Sequence, residues 1–166
     1  MSLFRNESPN LGAATTVQEL SGQGAGTPLV NNYKPTTRQI VETTFDGVRN
    51  TAANLTGWMF VAPWKCQIVQ AKVVAEVSAT ASATLQCYTV PVASQPEAPS
   101  SGNQVFSAAQ QLSSSTLTAN TVFAQTLATT SANLILNPGD MIGYTISAAV
   151  TALVGGLVQI EVVQLG

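Results

Sequence analysis

The sequence feature that most constrains the fold is a period-two alternation in the stretch from Trp58 to Val77. A short apolar run, 58–62, leads to a corner at Pro63, and a long run of alternating character follows. Successive side chains of a strand point to opposite faces, so this pattern predicts a strand with one face in a core and one in solvent. We expect it to be a central strand of an all-β body. The apolar positions at period two are Val69, Ala71, Val73, Ala75 and Val77, and those between them are Gln70, Lys72, Val74 and Glu76.

Further segments with strand character follow at short spacing, without a long amphipathic helix. A Pro138-Gly139 turn separates 133–136 from 141–146, which we expect to leave it as the partner strand, because Pro138 presets φ and Gly139 accepts a positive φ. Long connections at 78–83 and 93–119 favour Greek-key crossings. The predicted fold is therefore a jelly-roll-like antiparallel β-sandwich. The segments are 36–45, 58–62, 84–91, 120–128, 133–136, 141–146 and 157–165, and 104–112 fits a short strand or a short helix.

Residues 1–36 differ from the rest of the chain. They are rich in Gly and Pro, and their scattered apolar residues follow neither a period of two nor one of 3.6. Such a segment cannot form a core of its own. We therefore divide the chain into an N-terminal segment, 1–36, and a β-sandwich domain, 37–166. The segment is either a flexible tail or, as we prefer, an extended arm that orders on a partner.

The composition is unusually poor in charge. Charged residues make up 8% of the chain, against about 25% in typical soluble domains. A surface of this kind has little electrostatic repulsion to keep it monomeric, so we expect other copies or a larger assembly to cover it. The alternative is an extracellular β domain with a surface rich in Ser and Thr. The net charge is −2 and no Lys or Arg follows Lys72, which argues against nucleic-acid binding because phosphates need a cluster of cations.

Catalysis and metal binding find little support. The chain has no histidine, which excludes a Ser-His-Asp or Cys-His site and imidazole metal ligands. Asp140 is expected to satisfy backbone groups in its turn. No catalytic, cofactor-binding or metal-binding residue is predicted, and we do not expect an enzyme. Cys66 and Cys87 are expected to be buried thiols, with a disulfide between them as the alternative.

The N-terminal residues lack the apolar region of a signal peptide. No run in the chain approaches the roughly 18 apolar residues of a membrane helix. The sequence therefore predicts a soluble protein made in a cytoplasm, with no membrane partner.

Two motifs together resemble a known group. Phe-Val-Ala-Pro at 60–63, followed by Cys-Gln-Ile-Val-Gln-Ala at 66–71, is similar to the proline corner and long strand of small β-sandwich proteins in tailed-phage virions. Leu-Ile-Leu-Asn-Pro-Gly-Asp-Met-Ile at 134–142 resembles a turn that recurs in the same proteins and in other trimeric jelly rolls. The resemblance implies a capsid decoration (cement) protein or a head-fibre relative. Such proteins commonly form trimers on the outer capsid surface and clamp neighbouring major capsid proteins, so it implies a virion location after synthesis in the host cytoplasm. They act through surfaces, so no functional residue carries over.

The candidate contact residues lie mainly in the arm. Trp64 adds a candidate in the body, because its corner position makes it either an exposed contact or a cap over the end of the core. We expect Trp58 and Phe60 to lie in the core. The predicted partner-binding residues are Phe4, Arg5, Leu11, Leu29, Tyr33 and Trp64.

The main functional alternative is a lectin-like head-fibre or tail-fibre module. A carbohydrate-binding β-sandwich of this kind would present an aromatic side chain as a platform for sugar rings, and Trp64 is the first choice because of its corner position. The aromatic candidates are Tyr33, Trp58, Trp64, Tyr88 and Tyr144.

Overall fold

A computed structural model of the chain describes residues 38–45, 55–80, 82–95, 97–148 and 150–165. These residues form ten strands and three short 3₁₀ turns, the latter at Val92–Ser94, Pro99–Ser101 and Ser131–Leu134. The predicted arm, 1–36, lies outside the described residues. The strands are β1 (Arg38–Phe45), β2 (Leu55–Val61), β3 (Cys66–Val74), β4 (Thr84–Val90), β5 (Asn103–Gln104), β6 (Gln110–Gln111), β7 (Phe123–Ala124), β8 (Ile135–Leu136), β9 (Met141–Ser147) and β10 (Gly156–Gln164).

The strands form two antiparallel sheets. Sheet 1 has the order β1-β10-β3-β7, with β8 also paired to β3, and sheet 2 has the order β2-β9-β4-β5, with β6 also paired to β4. The first four strands alternate between the sheets, β9 lies between β2 and β4, and β10 lies between β1 and β3. This is the double Greek key of a jelly roll. The predicted jelly-roll-like antiparallel β-sandwich is confirmed.

The core lies between the sheets and is filled from both. Phe45 of sheet 1 meets Tyr144 of sheet 2 with ring centroids 6.2 Å apart. The loops add Phe106, Leu112 and Leu117, all fully buried. Strand β9 is buried on both faces, including Gly143 and Thr145 on its outer face, whereas β10 is buried mainly on one. The apolar residues of both strands that fill the core lie at alternate positions. These residues are Ile142, Tyr144 and Ile146 on β9 and Val158, Ile160 and Val162 on β10.

Strand β3 occupies the predicted central position, but its face pattern differs from the prediction at both ends. Ala71, Val73 and Ala75 are buried as predicted, whereas Val69 and Val77 are exposed. The register against β10 shifts so that Val69 has no residue opposite it. Such a bulge sends the following side chains to the other face. Val77 lies beyond the end of the strand at Val74, where the alternation no longer applies.

The turn at 137–140 has the predicted geometry but a different role. Gly139 has a φ of +90°, and the Asp140 N–H donates to the Asn137 carbonyl at 3.0 Å. However, β8 pairs with β3 in sheet 1, while β9 pairs with β2 and β4 in sheet 2. The prediction that 133–136 and 141–146 pair as a hairpin is therefore wrong. The turn carries the chain from one sheet to the other.

Two predicted segments, 104–112 and 120–128, form shorter and less regular strands than predicted. The 104–112 segment is neither one strand nor a helix, since only β5 and β6 at its ends pair with β4. Between β5 and β6, the side chain of Gln86 on β4 forms hydrogen bonds with backbone groups that have no strand partner. Its Nε2 donates to the Phe106 carbonyl at 3.1 Å, and its Oε1 accepts from the N–H groups of Phe106 and Cys87. The strand predicted over 120–128 is reduced to β7.

Candidate interaction surfaces

The outer face of sheet 1 is defined by the outward side chains of β1, β10 and β3. It carries charges of both signs, Arg38 and Lys72 with Glu42 and Glu161. Arg38 Nη1 lies 2.5 Å from Glu161 Oε1, and Gln159 Nε2 donates to Glu42 Oε2 at 3.3 Å. Because 70% of the Arg38 side chain is exposed, its ion pair adds little stability.

Exposed apolar side chains interrupt the charges of this face. Ile40 on β1 is 58% exposed, Val69 at the bulge is 42% exposed, and Val122 beside β7 is 60% exposed. A shallow cavity of about 210 Å³ lies between Val122, Lys72 and Leu157. The outer face of sheet 1 is therefore a mixed surface, both charged and apolar, with a shallow cavity between β3 and β10.

The part of the chain that contains the short strands β5 to β8 and the loops between them carries no charged residue. Residues 98–139 contain no Asp, Glu, Lys or Arg, and their exposed positions are mostly Ser, Thr, Gln and Ala. Charge repulsion between such surfaces is weak, so they can approach copies of themselves or a neutral partner closely.

A second surface lies on the outer side of sheet 2, around Trp58. Trp58 is 45% exposed and stands opposite Gly143 of β9. A β-carbon placed at position 143 would fall 2.9 Å from Cε3 of Trp58 and 2.9 Å from Cβ of Pro99. The absence of a side chain at Gly143 therefore lets the indole and Pro99 pack directly on the sheet. A groove of about 470 Å³, called the Trp58 groove below, is lined by Thr56, Trp58, Gln95, Glu97, Pro99 and Met141.

The loop that forms one wall of the Trp58 groove is held by Asp140. This residue is buried, 6% exposed. Its Oδ1 accepts from the Val92 N–H at 2.8 Å and its Oδ2 from the Asn137 N–H at 2.7 Å. Gln95 Nε2 donates to the Gly139 carbonyl at 3.2 Å. The expected role of Asp140, to satisfy backbone groups near its turn, is confirmed, and the structure adds that it ties the turn to the 92–95 segment.

The predicted contact residues of the arm, Phe4, Arg5, Leu11, Leu29 and Tyr33, lie outside the described residues, so their role stays a prediction.

Trp64 is half-buried and packs against the core. This agrees with the alternative in which Trp64 caps the end of the core. Its buried Nε1 has no hydrogen-bond partner among the described residues. Phe60 also packs against the core, whereas the prediction that Trp58 lies in the core is wrong. The residue that explains the exposure of Trp58 is Gly143, on another strand. The sequence alone could not relate these two residues, because only the register between β2 and β9 places them opposite each other.

The other aromatic candidates are poor platforms. Tyr144 is buried in the core, and Tyr88 is half-buried. Burial is the main cause that raises the pKa of the Tyr88 phenol, and the nearby Cys87 adds to it. Tyr33 lies outside the described residues. Trp58 is therefore the described aromatic residue best placed to meet a ligand.

The two cysteines are free and buried, in agreement with the expected buried thiols. Burial raises the pKa of both thiols, and at Cys66 the negative charge of Asp140 adds to the effect. A thiol in this state is a poor nucleophile, since the thiolate is the reactive form.

Within the described ranges, no group of three or more His, Cys, Asp or Glu side chains could hold a metal ion. No helix in the same ranges is long and apolar enough to cross a membrane.

Comparison with known proteins gave no match to a protein family, to a curated protein or to a solved structure.

Proposed function

We propose that this protein is a capsid decoration (cement) protein of a tailed bacteriophage. It is made in the host cytoplasm, binds the outer surface of the capsid and stabilises it by bridging major capsid proteins. In this role it is a structural protein of the virion, without catalytic activity, cofactor or nucleic-acid partner. The jelly-roll fold suits the role, because this architecture is common in virus particles, although it also occurs in lectins.

The observation that carries the proposal is the surface of the body. It is poor in charge, and it exposes single large apolar side chains such as Ile40 and Val122 on a sheet face. A protein that works alone in solution gains solubility from charge, whereas a protein covered by neighbours loses nothing without it. The described surface is therefore better suited to a lattice than to a free monomer.

The arm, 1–36, would make the capsid contacts. Ordering a segment costs on the order of 1–2 kcal/mol per residue for its backbone. Only contact over a large surface offsets such a cost, and a capsid offers one. Phe4, Leu11, Leu29 and Tyr33 would provide spaced apolar anchors, with Arg5 adding a polar contact.

The outer face of sheet 1 is our candidate for the contact between copies in a homotrimer. Its charges have both signs and lie among apolar side chains, so two copies can match charge with charge and bury Ile40. Introducing a carboxylate at Ile40 should convert a trimer to monomers in size-exclusion chromatography with light scattering. Val61 is the matched control, since Ile40 and Val61 are each 58% exposed but lie on different sheets. Equal effects of Ile40→Glu and Val61→Glu would argue against this face.

The capsid role is tested by cosedimentation with empty capsids assembled from the major capsid protein of the same phage. We expect the full chain to sediment with capsids, and a Phe4→Ala/Leu11→Ala variant to bind at least tenfold more weakly. Val154→Ala, at an exposed valine of the body, serves as the control and should bind normally. A full chain that stays in the supernatant, or arm variants that bind as tightly as the unchanged protein, would refute the proposal.

A further inference from the structure

We propose that the Trp58 groove binds a neutral saccharide, with one face of a pyranose ring stacked on the indole of Trp58. This goes beyond the proposed roles of the arm in capsid attachment and of the outer face of sheet 1 in contacts between copies. The groove lies on the other sheet from that face, so contacts between copies through it would leave the groove open for a ligand.

The platform is the exposed part of Trp58. Its Cε3 lies close to Gly143 beside Pro99, and Trp58 is one of the residues that line the groove. The face of an aromatic ring carries partial negative charge. It attracts the weakly positive C–H groups that cover one face of a pyranose, and both surfaces leave water when they meet.

The polar groups around the platform select the ligand class. Glu97 supplies a carboxylate, Gln95 an amide and Thr56 a hydroxyl, and all three can bond to sugar hydroxyls. Among the described residues that line the groove there is no cation, which disfavours a phosphate or an acidic sugar. Strong binding of an organic cation uses the faces of several aromatic rings in a cage, whereas the described lining of this groove contains a single aromatic residue. A neutral molecule with many hydroxyls fits these groups best.

The groove is formed before any ligand arrives. Its wall is tied to the 137–140 turn through Val92 and Gln95, as described above, and the Glu97 N–H donates to the Ser94 carbonyl at 3.1 Å. The 3₁₀ turn at Pro99–Ser101 continues this support, with the Gly102 N–H donating to the Pro99 carbonyl at 3.0 Å. A preorganised site loses less entropy on binding. The volume, about 470 Å³, lies in the range of small-molecule sites, about 300–1,000 Å³.

The test is an array of neutral and acidic oligosaccharides probed with the full chain, followed by calorimetric titration of the strongest neutral ligand. We expect neutral hexose or N-acetylhexosamine ligands to bind. Trp58→Ala should weaken binding by about tenfold or more, in line with alanine substitutions that remove an aromatic stacking partner. Trp58→Phe, which keeps an aromatic ring, should weaken it less, and Glu97→Gln should weaken it by a smaller factor than Trp58→Ala.

Val122→Ala is the matched control, because it removes an exposed apolar side chain from the other sheet, and it should leave the affinity unchanged. Circular dichroism checks the fold of every variant. Three results would overturn the proposal: no neutral saccharide binds at millimolar concentration, Trp58→Ala and Trp58→Phe both keep full affinity, or choline or an acidic sugar binds more tightly than the neutral ligands. The capsid cosedimentation of Trp58→Ala should be normal, so failure here is distinct from failure of the capsid role.

Discussion

Replacing Asp140 by Asn removes a carboxylate that joins its own turn to a backbone segment distant in sequence. The substitution keeps the size of the side chain but turns one acceptor oxygen into an NH₂ group. That group would face the N–H of either Val92 or Asn137, which now donate to the two carboxylate oxygens at 2.8 and 2.7 Å. At least one of these hydrogen bonds must therefore be lost, and two donors are brought together in a buried place.

The magnitude follows from the kind of bond that is lost. A hydrogen bond to a charged group contributes about 1.5–3 kcal/mol, and a buried donor left without a partner adds to the loss. We expect Asp140→Asn to lower the free energy of unfolding by about 2–4 kcal/mol. For a chain of this size, that corresponds to a drop in Tm of roughly 5–15 °C.

The assay is urea unfolding followed by circular dichroism at pH 7, with a thermal melt beside it. Asn137→Ala is the control. It removes a side chain whose Nδ2 lies 3.5 Å from Asp140 but keeps the backbone N–H, so it should cost less than about 1 kcal/mol. If Asp140→Asn changed the free energy of unfolding no more than Asn137→Ala does, the carboxylate would not hold the two segments together.

Three further perturbations test other parts of the sandwich. Gln86→Ala should lower the free energy of unfolding by about 2–3 kcal/mol in a urea titration, because it leaves the buried N–H and carbonyl of Phe106 without their partner; an effect below about 0.5 kcal/mol would contradict this role. Stability should fall above about pH 8.5, because burial raises the pKa of the Cys87 thiol in the folded state and only the unfolded chain then releases its proton. This thiol contributes up to about 1.4 kcal/mol per pH unit. A Cys87→Ala variant should show a shallower slope between pH 8 and 10, and an unchanged slope would contradict the assignment. Gly57→Ala should destabilise by about 1–3 kcal/mol, since its β-carbon would lie 2.6 Å from Cε1 of Tyr144; an unchanged urea midpoint would show that the ring moves aside freely.

The strands predicted best are those whose own sequence shows the full alternation of apolar residues. Strands β9 and β10 were predicted as the segments 141–146 and 157–165, within one residue of their observed bounds, and apolar residues at alternate positions of each lie in the core. The period-two signal is strong there because one face meets the core along the whole strand. The same reasoning failed at Val69, because a bulge depends on the partner strand β10 and leaves no mark in the sequence of β3 itself.

Two features could not be predicted, the sheet that β9 joins and the exposure of Trp58, because both depend on residues distant in sequence. The Pro138-Gly139 turn sets the local backbone, but whether the following strand joins the same sheet is decided by the pairing of β9 with β2 and β4. The exposure of Trp58 is similar, since an aromatic residue in an apolar run is usually buried. Here the small residue opposite it, Gly143, and the loop at Pro99 create a place for it on the outer surface.

The position of β10 bears on how the chain folds. Residues 156–164 are synthesised after the other nine strands, yet β10 is the strand that joins β1 to β3. Until it arrives, β1 and β3 have unpaired edges, and such edges promote aggregation. The pairing of β1 with β10 also joins Phe45 to Gly156, a contact between residues far apart in sequence, which slows folding. A nascent chain that stops before residue 156 should therefore be a good chaperone substrate, and sheet 1 should form only in the last step of folding.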